Sequence, residues 1–203
     1  MKKIAIICAL EKELNPIKAL YETNVHNNRY QADFFLSGYG RSKAVAVLSQ
    51  LLTKNQTYDA IINIGTCGLK LQERDFSLCK DISVFEPTYF IDGDFTLQNE
   101  RRELLINIKS SNSALPLVTV SDFGRYDKYM KESYIEDMEG FEIVNITQAL
   151  NIPCKIIKVV SNAITENPET DMAEFQANCH NVMEQNAQNI LKCINSFINK
   201  YLP

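Results

Sequence analysis

Tyr58–Lys70, YDAIINIGTCGLK, is the stretch whose reading decides the fold. Ala60–Ile64 is an almost unbroken apolar run, and Gly65-Thr66-Cys67-Gly68 closes it. A short apolar run bounded by turn residues suits a strand buried on both faces, as in a parallel sheet. Working outward, Arg41–Leu52 places apolar residues at Ala44, Val45, Val47, Leu48, Leu51 and Leu52, a helical spacing. Before it, Phe34–Leu36 reads as a short strand ending at Ser37-Gly38-Tyr39-Gly40, and Lys3–Ala9 as a fully buried one. Beyond the opening stretch, Asp81–Phe85, Leu115–Val120 and Cys154–Val160 read as strands. Glu139–Leu150 reads as a helix stopped by Asn151-Ile152-Pro153, and Asp171–Tyr201 as a long amphipathic helix with room for one break. Tyr89–Ser113 is polar and reads as irregular.

Strands alternating with helices predict an α/β fold, a largely parallel sheet covered on both faces. At 203 residues the chain is read as one domain, 1–203. In such sheets, ligands bind beyond the carboxyl ends of the strands. That singles out Ala9–Glu13, Ser37–Arg41, Gly65–Gly68, Ser121–Gly124 and Ser161–Thr165.

Composition narrows the function. A net charge of −4 argues against a general nucleic-acid binder. No apolar run reaches the roughly 18 residues a membrane span needs. The start, MKKIAIICALEKEL, returns to charge at Glu11, so it reads as a first strand of a cytoplasmic protein rather than a secretory signal. Six scattered cysteines (Cys8, Cys67, Cys79, Cys154, Cys179, Cys193) form no C-x-x-C pair, which disfavours a disulfide framework. Cys8 and Cys154 read as core residues, and Cys179-His180 lacks the further ligands of a metal site.

Five segments, in order, carry a resemblance: IAIICALEKEL, SGYGRSKAVAVLSQLL, YDAIINIGTCGLK, FIDGDFT and DMEGFEIVNITQALNIPCKIIKVVSNAIT. Together they resemble the nucleoside phosphorylase/nucleosidase superfamily, nearest to the 5′-methylthioadenosine/S-adenosylhomocysteine nucleosidases. The resemblance implies a mixed central sheet flanked by helices, a homodimer, a purine nucleoside as the small-molecule partner, no cofactor, and cleavage of an N-glycosidic bond.

It also implies roles for particular residues. Glu139 would accept hydrogen bonds from the ribose hydroxyls, with Met138 against the sugar; as an early helix acid, Glu139 would also suit the helix dipole. Glu13 would orient and deprotonate the attacking water. It is expected in a loop, because Asn15-Pro16 reads as a helix N-cap and first helical position. Thr66 would lie near the nucleophile, Phe123 would stack on the base, and Ser161 would precede the base-contacting residue. Arg41 could serve an anion. Phosphorylases of the superfamily tend to carry a Gly-and-Arg phosphate loop at the first strand end, and Cys8–Ile17 has none, which favours water over phosphate.

Asn162 departs from the adenine-specific enzymes, which carry Asp there as a proton donor to N7. An amide has no acid proton. Against adenine it would occupy the N7 lone pair. Against a 6-oxopurine its NH2 would donate to O6 and its oxygen would accept from a protonated N7. The leading reading is a purine nucleosidase resembling the methylthioadenosine/adenosylhomocysteine enzymes; Asn162 predicts a bias toward 6-oxopurines, which makes a futalosine- or inosine-type hydrolase the main alternative, followed by a phosphorylase and by a protein that binds nucleosides without cleaving them.

Overall fold

The structure is a computed structural model that describes residues 1–24, 30–53, 57–75, 83–94, 103–106, 115–122, 132–165 and 167–202. Its strands are β1 (Lys2–Cys8), β2 (Tyr30–Leu36), β3 (Ala60–Lys70), β4 (Val84–Phe85), β5 (Tyr89–Asp92), β6 (Glu103–Leu105), β7 (Leu117–Thr119), β8 (Tyr134–Asp137) and β9 (Cys154–Ala163). Its α-helices are α1 (Glu11–Thr23), α2 (Arg41–Thr53), α3 (Gly140–Ala149) and α4 (Pro168–Tyr201).

The strands form one mixed sheet in the order β2-β1-β3-β8-β7-β5-β6, with β9 on β3 and β4 on β9. β1 runs parallel to β2 and β3, and β9 runs parallel to β3 along most of its length. β8 meets β3 antiparallel, at Gly68–Lys70 only. Ile4, Ile6, Ile62 and Ile64 point to one face, where α1 and α4 cover them through Ile17, Met183, Ile190 and Ile194. Ala5, Ile7 and Ile61 point to the other, under Leu48 of α2 and Phe141 and Val144 of α3. Alternation along each strand produces these two cores. The α/β sheet covered on both faces is thus as expected, with β4, β6 and β8 supplying its antiparallel pairs.

Several local readings change. β3 continues through Gly65-Thr66-Cys67-Gly68, which is strand and not a closing loop, because β9 pairs with it there and β8 takes up its far end. β9 likewise runs to Ala163, so Ser161 and Asn162 lie in a strand. α4 is continuous over 34 residues. The stretch read as irregular contains β5 and β6, and β8 was not foreseen at all. Asp81–Phe85 reduces to the two residues of β4 among those described.

Candidate active site

Along the same edge of β3, β1 pairs as far as Asn63 and β8 begins at Gly68. Among the described residues, those between have no strand neighbour on that edge. One backbone N–H left there, that of Thr66, turns to a side chain: it donates to Glu13 Oε1 at 2.7 Å, as does Thr66 Oγ1 at 2.7 Å.

Glu13 does not sit in a loop. It is the third residue of α1, and its Oε2 accepts from the backbone N–H of Leu10, the N-cap, at 3.1 Å. That bond closes the helix start at Leu10, so Asn15 has no cap to make and Pro16 falls inside the helix, where it forgoes one helical hydrogen bond. Three donors thus fix a carboxylate that is 3% exposed. Gly65 makes room for it: a Cβ there would lie 3.1 Å from Glu13 Oε1 and 3.4 Å from Lys158 Nζ.

Glu139 is the N-cap of α3 yet makes no capping bond. Asp137 Oδ2 accepts from Gly140 N–H at 2.9 Å and Thr119 Oγ1 from Phe141 N–H at 2.8 Å, which satisfies the helix end and releases Glu139 for the cleft. Glu139 Oε1 accepts from Gly40 N–H at 2.7 Å. Gly38 and Gly40 hold φ of +78° and +92°, which lets the Ser37–Gly40 turn aim that N–H. Burial pushes the Glu139 carboxyl up to about 7, with Asp137 and Glu13 adding to the rise; Lys158 and the Gly40 N–H oppose it.

Lys158, on β9, was not singled out from the sequence. It is 1% exposed, and its Nζ lies 2.7 Å from Asp137 Oδ2. Burial alone would lower its affinity for the proton, but Asp137, Glu139 and Glu13 reverse this and hold it charged. A lysine interrupting the strand-forming run CKIIKVV was the available signal. Its partners come from three other elements, so the sequence could not show them.

These groups border one cleft. Glu13, Thr66, Met138 and Glu139 line it together with Phe175, which is buried, and Tyr39, which is half exposed. A second cavity, lined by Lys12, Gln176 and Cys179, shares Leu10, Tyr39 and Phe175 with it. Cys67 also borders the cleft, but burial pushes its thiol well up, which keeps it neutral and a poor nucleophile.

The remaining expected residues stand differently. Ser161 and Asn162 are buried in β9 beside Gly68. Ser161 Oγ donates to Asn162 Oδ1 at 2.9 Å, and Asn162 Nδ2 donates to the Ala163 carbonyl at 3.0 Å. Arg41 does not present a free cation to an anion. Its guanidinium is held by Asp92 and Asp94 through Nη1 and by Glu142 through Nε and Nη2. Phe123 lies outside the described residues.

Neither a protein-family model nor a curated protein matches the chain. Solved structures do. The chain is similar to a futalosine hydrolase mutant of Helicobacter pylori strain 26695, at 15% identity and a TM-score of 0.70, over 98% of this chain and 100% of that one. It is similar to the MTAN of Chlamydia trachomatis, at 22% identity and a TM-score of 0.70, again over 98% and 100%. It is also similar to a putative 5′-methylthioadenosine/S-adenosylhomocysteine nucleosidase from Borrelia burgdorferi B31 bound to adenine, at 16% identity and a TM-score of 0.74, over 95% and 99%. The chain therefore shares the fold of these solved structures.

Proposed function

We propose that this protein hydrolyses the N-glycosidic bond of a purine nucleoside. The observation that carries the reading is a pair of buried carboxylates lining one cleft: Glu13, held by three donors, and Glu139, freed from its helix. Cleaving such a bond builds positive charge on the sugar ring. Glu139 accepts from the ribose hydroxyls, and Met138 packs against the sugar. Glu13 takes the proton of the attacking water, with Thr66 Oγ1 beside it. Lys158 keeps these carboxylates together without touching the substrate. The likeness to nucleosidase structures, one of them holding adenine, supports the reading.

Water is favoured over phosphate as the acceptor. Glu13, Glu136, Asp137 and Glu139 all line the cleft. The nearby Lys158 is already paired, and Arg41 is spent on three carboxylates. A phosphate dianion would enter a field of its own sign.

Methylthioadenosine and adenosylhomocysteine represent the adenine branch of the substrate class. Asn162 favours the 6-oxopurine branch, inosine or futalosine, for want of an acid proton. The test is base release from these four nucleosides with and without phosphate. Release that needs no phosphate and disappears in Glu13→Gln is expected. Release that depends on phosphate, or survives Glu13→Gln, overturns the reading.

A further inference from the structure

The Glu139 carboxylate is held by Gly40 N–H, and that donor sits at the end of a turn built to move. Gly38 and Gly40 both hold positive φ, and a Cβ at Gly40 would meet nothing within 4 Å. A glycine turn has many alternative conformations, so its neighbours must fix the N–H in place. Upstream, Ser37 and Gly38 N–H donate to the Cys8 and Ala9 carbonyls at 2.9 and 3.0 Å. Downstream stands Arg41, the first residue of α2. Its Nη1 donates to Asp92 and Asp94, at and just past the end of β5. Its Nε and Nη2 donate to Glu142, in the first turn of α3. Asp94 is fixed in turn by the N–H and hydroxyl of Ser121.

Two ties therefore run side by side between the same two helix starts. Gly40 N–H meets Glu139, and one residue further along α2 the Arg41 guanidinium meets Glu142, three residues further along α3. A planar guanidinium bonded along two of its edges fixes a direction as well as a distance, which a lysine does not. Electrostatics explains why three carboxylates gather on one cation. A positive charge at the first position of a helix opposes the helix dipole, and α2 has no acid of its own in its first turn. β5 and α3 supply the missing negative charge. Resting on the nucleosidase reading above, we infer that Arg41 is a positioning residue: by clamping the start of α2 to the start of α3, it keeps Gly40 N–H on Glu139, the carboxylate that receives the ribose hydroxyls. A donor to a carboxylate favours its charged form, so releasing the clamp raises the proton affinity of Glu139 above its value of about 7. The other charged groups facing Glu139 are Asp137 of β8, Glu13 of α1 and Lys158 of β9, with Glu136 along the same cleft. Substitutions at Arg41 or Glu142 alter none of them.

The experiment titrates the Glu139 carboxyl in the free protein by NMR on glutamate-labelled samples, with the signal assigned by its absence in Glu139→Gln. Wild type is compared with Arg41→Met and Glu142→Ala. Charge alone would move the two variants in opposite directions, because losing a cation raises a carboxyl and losing an anion lowers it. Loss of the clamp moves both upward. The midpoint should rise by about one pH unit in each variant, the effect of one hydrogen bond to a charged acceptor. If Arg41→Met does not fold, Glu142→Ala decides alone. A Glu142→Ala midpoint that falls, or that stays within about 0.3 of wild type, overturns the inference. Where a nucleoside is cleaved, the acid-side fall in base release should move up in pH together with the carboxyl. A profile that stays at its wild-type position in both variants overturns the inference and leaves the nucleosidase reading standing. If wild type cleaves no nucleoside, that reading fails, and the carboxyl titration still decides whether Arg41 sets Glu139.

Discussion

Glu13 and Glu139 are alike in type and burial, but the chain holds them by different means. Glu13 has three donors on two oxygens, two of them backbone N–H groups, so its orientation does not depend on substrate. Removing its charge should leave that scaffold almost intact: Glu13→Gln is expected to cut base release by about 10² to 10⁴-fold while the melting temperature stays within a few degrees. Glu139 has one donor and a proton affinity raised into the neutral range. A carboxyl whose folded value is raised binds its proton more tightly in the native state. It therefore contributes stability below its unfolded value, and that stability is lost as pH rises through about 7. Glu139→Gln should accordingly gain melting temperature relative to wild type at pH 8 and show little gain near pH 4. In activity the sign reverses. Base release should fall as pH drops below about 7, because the protonated group no longer serves as a charged acceptor for the sugar. Lys158 gives the largest stability effect. Lys158→Met leaves Asp137 buried without its cation and should cost about 3–5 kcal/mol by urea unfolding. Adding Asp137→Asn should return much of that loss, since it removes the stranded charge.

Helices and long strands could be read from the sequence; of the short strands, β4 and β7 fall inside stretches read as strands, whereas β5, β6 and β8 could not be read. β1, α2 and the first half of β3 appear as uniform apolar runs or 3.6-residue repeats, and each was anticipated. β5, β6 and β8 are three to four residues long, too short for a period to show. They exist because neighbours far along the chain complete their hydrogen bonding. The site divides in the same way. Glu13, Thr66, Met138 and Glu139 were found because they stand in local motifs, and the cleft brings them together. Lys158 and Glu136 are charged residues within strand-like runs, and their meaning depends on which strand lies alongside. Glu13 was placed in the wrong element because Asn15-Pro16 looks like a helix start, and only the Leu10–Glu13 bond shows otherwise. α4 shows the opposite case, a cap visible in both. Asn167 Oδ1 accepts from Glu169 N–H at 3.1 Å and Thr170 N–H at 3.3 Å, with Pro168 first in the helix. Asn167→Ala should lower stability by about 1 kcal/mol by thermal or urea melting, without changing activity.

At the scale of the whole sheet, the divergence along β3 has a further consequence. One block holds β2, β1, β9 and β4, the other β8, β7, β5 and β6, and among the described residues strand pairing joins them only at Gly68–Lys70. Two polar links reinforce that short seam from inside the cleft: Lys158 to Asp137, and Gly40 N–H to Glu139. A nucleoside gripped by Glu13 on one block and Glu139 on the other would act as a third cross-tie. Occupancy should then be written into the backbone far more widely than the contact area suggests. Amide hydrogen exchange at Gly68–Lys70 and along β8 should slow when ligand is bound, while the outer end of β2, remote from the seam, keeps its free rate.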